Sequence, residues 1–343
     1  MNKIGIVGAG AWGTGLAIAL TRAGRQPILW AHEAETVDAI NTQHRNPTFL
    51  PGIELPATIA ATRDLAAVAA TELILLAVPA QHMRAVCREL APHWPKGVAA
   101  VICAKGIETD SGTLMTEVVA TELPNVPLAI LSGPTFAIEV ARGQPTAIVL
   151  ASADLALAKR IVDAIGSSRF RPYASDDPVG ATIGGAVKNV LAIGCGVVEG
   201  RRLGDNARAA LITRGLAELS RLVVAKGGRA ETCMGLSGLG DLVLTASSSQ
   251  SRNYGLGFRL GQGKRLADLL VARHDVTEGV ATAPAVLALA KRVGVEMPVC
   301  AAVAGLLRGE VTVEETVEAL LARPFKNEQV ASAGGPKTGG GKS

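Results

Sequence analysis

The feature that most constrains this chain is a glycine loop held between a strand and a helix. Residues 3–7 read as a short apolar strand and run directly into Gly8-Ala9-Gly10-Ala11-Trp12-Gly13. Residues 14–23 then follow a helical pattern closed by Gly24. A lone GxGxxG string carries little weight, but at the head of a strand–turn–helix unit each glycine has a physical task. Gly8 allows the tight turn, Gly10 lets the backbone approach a pyrophosphate, Gly13 permits close helix packing, and the helix N-terminus attracts the anion. The plainer alternative is a glycine-rich turn without a ligand, which the strand-and-helix context makes the lesser reading.

The rest of the first half repeats the alternation. β-rich runs at residues 4–7, 28–30, 73–78, 98–103, 128–131 and 146–150, with a last one near 170–173, are separated by helical patterns. This predicts an α/β Rossmann domain, a doubly wound and mostly parallel sheet, over residues 1–175. Strand signals then fade, and residues 176–326 read as an all-α C-terminal domain. Residues 327–343 read as a disordered tail, because Gly, Ala, Ser, Lys and Pro dominate its end and bury too little surface to order it. Its GGGKS ending does not make a phosphate loop: Pro336 stands where the first glycine would be, and no helix follows Lys342.

Composition narrows the partners. The 343 residues include 39 glycines and only ten aromatic residues (five Phe, three Trp, two Tyr), so small and branched aliphatics must fill the interior. The net charge of +4 comes without a basic cluster interleaved with aromatics, which argues against nucleic acid. Five scattered cysteines with no CxxC pair fit neither a disulfide framework nor a zinc site, and no metal is expected. No secretory leader precedes the first strand, so a cytoplasmic location is expected. The most apolar stretch, residues 181–198, is glycine-rich and contains Lys188, which favours a buried core helix over a membrane span.

The choice of nicotinamide cofactor stays open. An acidic residue at the end of the second strand would grip a ribose 2′-hydroxyl. Here the chain reads Leu29-Trp30-Ala31-His32-Glu33. Glu33 has about the right separation, yet it also precedes a helical pattern whose dipole a first-turn carboxylate would complement. His32 and Arg45 could then meet a 2′-phosphate, so NADP(H) and NAD(H) are both expected.

Ionisable residues stand out in three places. Lys105 follows the apolar run Val101-Ile102-Cys103, at the carboxyl end of a strand where open α/β sheets bind ligands. Lys188 is the only charged residue between Asp177 and Glu199, and apolar surroundings favour the lowered pKa that acid–base lysines need. Asp241 is the sole charge between Glu231 and Arg252, and a lysine across a cleft would satisfy both. A solvated loop lysine, a snorkelling lysine and a turn-capping aspartate are the respective structural alternatives. The cluster from Ser247 to Asn253 gathers hydroxyls, an amide and a guanidinium that together suit a phosphate, though a polar loop would read the same way.

These residues resemble the bacterial-type NAD(P)-dependent glycerol-3-phosphate dehydrogenases. The matching strings are GAGAWGT (8–14), NPTFLPG (46–52), AKG (104–106), LSGPTFA (131–137), GGAVKN (184–189), NARAALITRG (206–215), GLGDLVLT (238–245), QSRN (250–253) and EG (278–279). They lie in order over nearly the whole chain. The resemblance implies reversible reduction of dihydroxyacetone phosphate to sn-glycerol 3-phosphate, supplying glycerophospholipid synthesis, in a possible homodimer. It implies Lys188 as general acid or base, helped by Asp241 and Lys105. Lys105, Gly133, Thr135, Lys188, Asp241, Ser251, Arg252 and Asn253 would line the substrate site. Gly8, Gly10, Ala11, Trp12, Gly13, His32, Lys105, Ala137, Arg252, Val276 and Glu278 would bind the cofactor. Alanine at position 11, where family members often carry serine, removes one hydroxyl. The rival readings are a β-hydroxyacid dehydrogenase and a non-catalytic dinucleotide sensor.

Overall fold

A computed structural model describes residues 1–271 and 277–322 of the chain. Val276 and the expected tail lie outside the described residues.

Ten strands occur among the described residues: β1 (Lys3–Val7), β2 (Gln26–Trp30), β3 (Arg45–Asn46), β4 (Leu50–Glu54), β5 (Ala60–Thr62), β6 (Leu73–Leu76), β7 (Ala99–Ile102), β8 (Leu128–Ser132), β9 (Thr146–Ala151) and β10 (Phe170–Ser175). Eight form one sheet in the order β10-β9-β8-β7-β6-β1-β2-β5, and β3 pairs with β4 as a separate hairpin. All neighbours in the large sheet are parallel except β8 and β9, which run antiparallel. The order reverses direction at β1 and β6, which places the glycine loop at a topological switch point.

The sheet is apolar on both faces because helices cover both. Every residue of β6 (LILL) and β7 (AAVI) is buried. Sequence periodicity identified the seven runs that form β1, β2 and β6 to β10. It missed β5 and the β3–β4 hairpin. β5 is a three-residue edge strand, too short to show alternation, and its partner β2 lies thirty residues earlier.

After β10 the chain is helical among the described residues. The central helix Pro178–Gly200 is buried from Gly180 to Val198. By length and hydropathy it could cross a membrane, yet its apolar window is wholly buried within the protein. Its glycines explain how it carries so many neighbours. A Cβ on Gly196 would stand 2.1 Å from the Tyr254 carbonyl oxygen, and one on Gly257 would stand 1.9 Å from that of Ile193. The central helix and helix Arg252–Gly261 therefore meet backbone to backbone, which brings Arg252 and Asn253 beside the turn bearing Lys188 and Asn189. Helix Pro298–Arg308 is tied in by buried Glu218, whose carboxylate accepts from the Val299 and Cys300 amides at 2.7 and 3.2 Å. That arrangement satisfies two amides that a helix start leaves unpaired.

Candidate active site

The glycine loop closes β1 onto helix Ala11–Arg22. Gly8 has φ +117°, and a Cβ there would press within 2.8 Å of the Ala77 backbone. Gly13 is excluded from carrying a side chain by the loop itself, since its Cβ would fall 1.8 Å from the Gly8 carbonyl oxygen. Gly10 faces open space. No side chain caps the first turn, where a helix leaves its leading amides without intrahelical partners. Asn46 fastens the loop from the hairpin, donating to the Ala9 carbonyl and to Thr14 Oγ1, both at 2.8 Å. The buried Trp12 indole nitrogen has no hydrogen-bond partner among the described residues. Uncapped amides, an unobstructed Gly10 and an orphaned indole donor fit a dinucleotide pyrophosphate. Ala137 opens the short helix Ala137–Ala141, whose backbone packs against Gly15. His32 and Glu33 are exposed at the end of β2; Glu33 occupies the N-cap position of helix Ala34–Gln43, but its side chain makes no capping bond.

The three lone charges of the sequence meet. Lys105, just beyond β7, donates to Asp241 Oδ2 at 2.6 Å and to the Gly133 carbonyl at 2.8 Å. Lys188, on the central helix, donates to Asp241 Oδ1 at 2.9 Å and to Thr245 Oγ1 at 2.8 Å. Asp241 is wholly buried, and Lys188 is 7% exposed. A π-helical turn, Leu236–Gly240, leads into helix Asp241–Ser247, and Thr245 is one turn on from Asp241, on the same face. Gly184 and Gly185 make room: a Cβ on Gly184 would hit the Ser237 carbonyl oxygen at 2.3 Å, and one on Gly185 the Ser132 hydroxyl at 2.7 Å.

Burial pushes the Lys188 ammonium down to about 8, against the upward pull of Asp241. Burial works to raise the Asp241 carboxyl, but the two lysines outweigh it and hold it below the usual carboxylate range. Glu278, at the start of helix Glu278–Arg292, is raised by burial, with Arg252 and Lys188 opposing.

The other expected residues divide. Thr135 donates to the same Gly133 carbonyl at 3.2 Å. Arg252 is exposed, with no hydrogen bond or ion pair among the described residues, so its guanidinium is free for a ligand. The Ser251 hydroxyl caps helix Arg252–Gly261 by accepting from the Tyr254 amide. Asn253 is held at both ends: its amide donates to Asn189 Oδ1 at 2.9 Å, and its oxygen accepts from the Gly279 amide at 3.0 Å. Asn46, Asn189 and Thr245 were not singled out from the sequence. Thr245 alone had a local signal, its four-residue spacing from Asp241.

The model of the NAD-dependent glycerol-3-phosphate dehydrogenase N-terminus matches residues 3–158, and that of the C-terminus matches residues 177–318. The chain belongs to the NAD-dependent glycerol-3-phosphate dehydrogenase family. A relative from Rhodospirillum rubrum, named glycerol-3-phosphate dehydrogenase [NAD(P)+], is 57% identical over 96% of this chain and 94% of its own. A second from Caulobacter vibrioides, of the same name, is 56% identical over 95% of this chain and 99% of its own. The crystal structure of the glycerol-3-phosphate dehydrogenase from Coxiella burnetii superposes with a TM-score of 0.90 at 40% identity, covering 94% of this chain and 99% of that one. D-mandelate dehydrogenase, at 16% identity and a TM-score of 0.62, shares the fold alone.

Proposed function

We propose that this dehydrogenase reduces dihydroxyacetone phosphate reversibly to sn-glycerol 3-phosphate with NAD(P)H. The observation that carries the mechanism is the buried Lys188–Asp241–Lys105 cluster at the carboxyl end of the sheet. When bound, the nicotinamide supplies or accepts the hydride. Lys188 Nζ gives a proton to the oxygen of the carbonyl being reduced, and takes it back in the reverse direction. Asp241 and Thr245 fix that nitrogen between two oxygens, so the donor needs no reorganisation as charge develops. Lys105, held by the same carboxylate, adds positive charge against the developing alkoxide. Gly8, Gly10, Ala11, Trp12, Gly13, His32, Ala137, Val276 and Glu278 are assigned to the cofactor, and Gly133, Thr135, Ser251, Arg252 and Asn253 to the substrate side. On this reading residues 1–175 form the dinucleotide domain and 176–326 the catalytic one. Five buried thiols outside any disulfide support a reducing, cytoplasmic setting. The proposed assembly is a homodimer.

The free Arg252 guanidinium at a helix start suits an anionic substrate group, and the similarity to glycerol-3-phosphate dehydrogenases supports a phosphate there rather than the carboxylate of a β-hydroxyacid. Following NADPH and NADH consumption with dihydroxyacetone phosphate and with a three-carbon β-keto acid tests this. Faster turnover of the keto acid, or none of either, would discard it. Arg252→Ala is expected to raise the KM for dihydroxyacetone phosphate at least about tenfold, while unphosphorylated dihydroxyacetone, a poor substrate throughout, loses little more. Equal loss on both would remove Arg252 from the phosphate.

The lowered Lys188 pKa sets a pH dependence. Reduction needs the protonated lysine, so its rate falls as pH rises through about 8. Oxidation needs the neutral lysine and rises over the same range. A pH profile of kcat/KM in both directions checks this; parallel limbs in the two directions would contradict it.

A further inference from the structure

Sheet order brings a second arginine to the end of β2. Strand β5 pairs with β2 so that Trp30 faces Thr62, and the Ala31 amide donates to the Thr62 carbonyl at 3.0 Å. The chain leaves β5 at Arg63, whose carbonyl accepts from Trp30 Nε1 at 3.0 Å. Arg63 is therefore anchored by its backbone beside Ala31 and His32, on the same sheet edge as the glycine loop. The link to that loop is short, since the Gly8 amide donates to the Trp30 carbonyl at 3.0 Å.

The Arg63 side chain has no structural task in the fold. It is exposed and makes no side-chain hydrogen bond or ion pair among the described residues, so nothing in the fold employs its charge. His32 is also exposed, and among the described residues its ring makes only a tilted contact with Trp30 at 6.2 Å. Of the nearby carboxylates, Asp64 accepts from the Ala66 amide as a helix cap, and Glu33 is exposed without a capping bond. An alanine stands directly after β2, where an acid would repel a phosphate.

We propose that Arg63 is the principal ligand for the 2′-phosphate of NADP(H), with His32 beside it, and that this pair makes the enzyme prefer NADP(H). This rests on the dinucleotide reading above but not on the identity of the second substrate. A guanidinium offers a planar fork that matches phosphate geometry, and the Trp30 hydrogen bond holds its backbone in place before the ligand arrives.

The test is equilibrium titration of the full chain with 2′,5′-ADP and 5′-ADP, which carry the adenosine half with and without the deciding phosphate. The unmodified protein is expected to bind 2′,5′-ADP at least about tenfold more tightly. Arg63→Ala is expected to weaken 2′,5′-ADP about 10- to 100-fold while leaving 5′-ADP within about twofold. Its melting temperature stays unchanged, because the side chain is exposed and Trp30 bonds to a backbone carbonyl. Equal affinity of the unmodified protein for both nucleotides would overturn the proposal, as would equal weakening of both in Arg63→Ala. So would loss of the preference in Arg45→Ala but not in Arg63→Ala. A protein that shows the expected nucleotide preference but does not reduce dihydroxyacetone phosphate would support the Arg63 assignment and refute only the proposed substrate.

Discussion

Lys188→Met is expected to give a folded protein that still binds NADPH and turns over at least about a thousandfold more slowly. A positioned proton donor contributes ~10²–10⁴-fold, and this lysine also places positive charge against the alkoxide. Methionine replaces the four-atom apolar stem and drops only the terminal ammonium, in a helix that is otherwise uncharged around it. The fold survives because Asp241 does not lose its only partner: Lys105 remains at 2.6 Å and Thr245 at 3.3 Å. Cofactor affinity rests on the glycine loop and its Asn46 fastening, neither of which touches Lys188. Turnover, NADPH affinity and thermal unfolding measured on one preparation decide the point. A stable, cofactor-binding variant within about tenfold of the original turnover would remove Lys188 from the role of proton donor.

The second large effect is expected from Asp241→Asn. The carboxylate gives one oxygen to each lysine, so a neutral amide withdraws the negative charge from both, keeps an acceptor for one and must turn its NH₂ group toward the other ammonium. Losing the partner of a buried charge costs about 3–5 kcal/mol when the charge cannot be relieved. Here relief is available, because Lys188 already sits near 8 and can shed its proton. The variant is therefore expected to be least stable at low pH, where both lysines stay charged, and to recover as pH rises. Turnover falls by roughly a hundredfold or more, and the limb of the reduction profile moves to lower pH as Lys188 loses the group that favours its charged form. A profile that keeps its limb near the original pH, whatever the rate, would mean that Asp241 does not tune Lys188.

Much of the site was legible because its residues break local expectation. Lys188 and Asp241 are lone charges in apolar, glycine-rich stretches, and only a partner or a function accounts for such charges. The glycine loop was legible for a related reason: strand, turn and helix follow one another in the chain, so each glycine's neighbours lie close in sequence. By sequence the polar cluster from Ser247 to Asn253 suits a phosphate or an ordinary polar loop alike, and the structure divides its labour. Ser251 caps a helix and Asn253 bridges Asn189 to Gly279, while the Arg252 side chain makes no hydrogen bond or ion pair among the described residues. A sequence shows which donors are present and not which are already occupied.

The sequence by itself determined the seven longer strands, the glycine turn, the helical second half and the identities of the three charged residues, because periodicity, turn chemistry and isolation in apolar surroundings act over a few neighbouring residues. Tertiary structure decided what those groups pair with. Lys188 meets Asp241 across 53 residues and Lys105 meets it across 136, distances at which no local pattern specifies a contact. Asn46 reaches the glycine loop from a hairpin whose two-residue strand shows no periodicity. Arg63 comes to the end of β2 only because β5 adds to that edge of the sheet. Strand order is set by which apolar faces the whole chain can cover at once, and that is a property of the assembled core rather than of any segment within it.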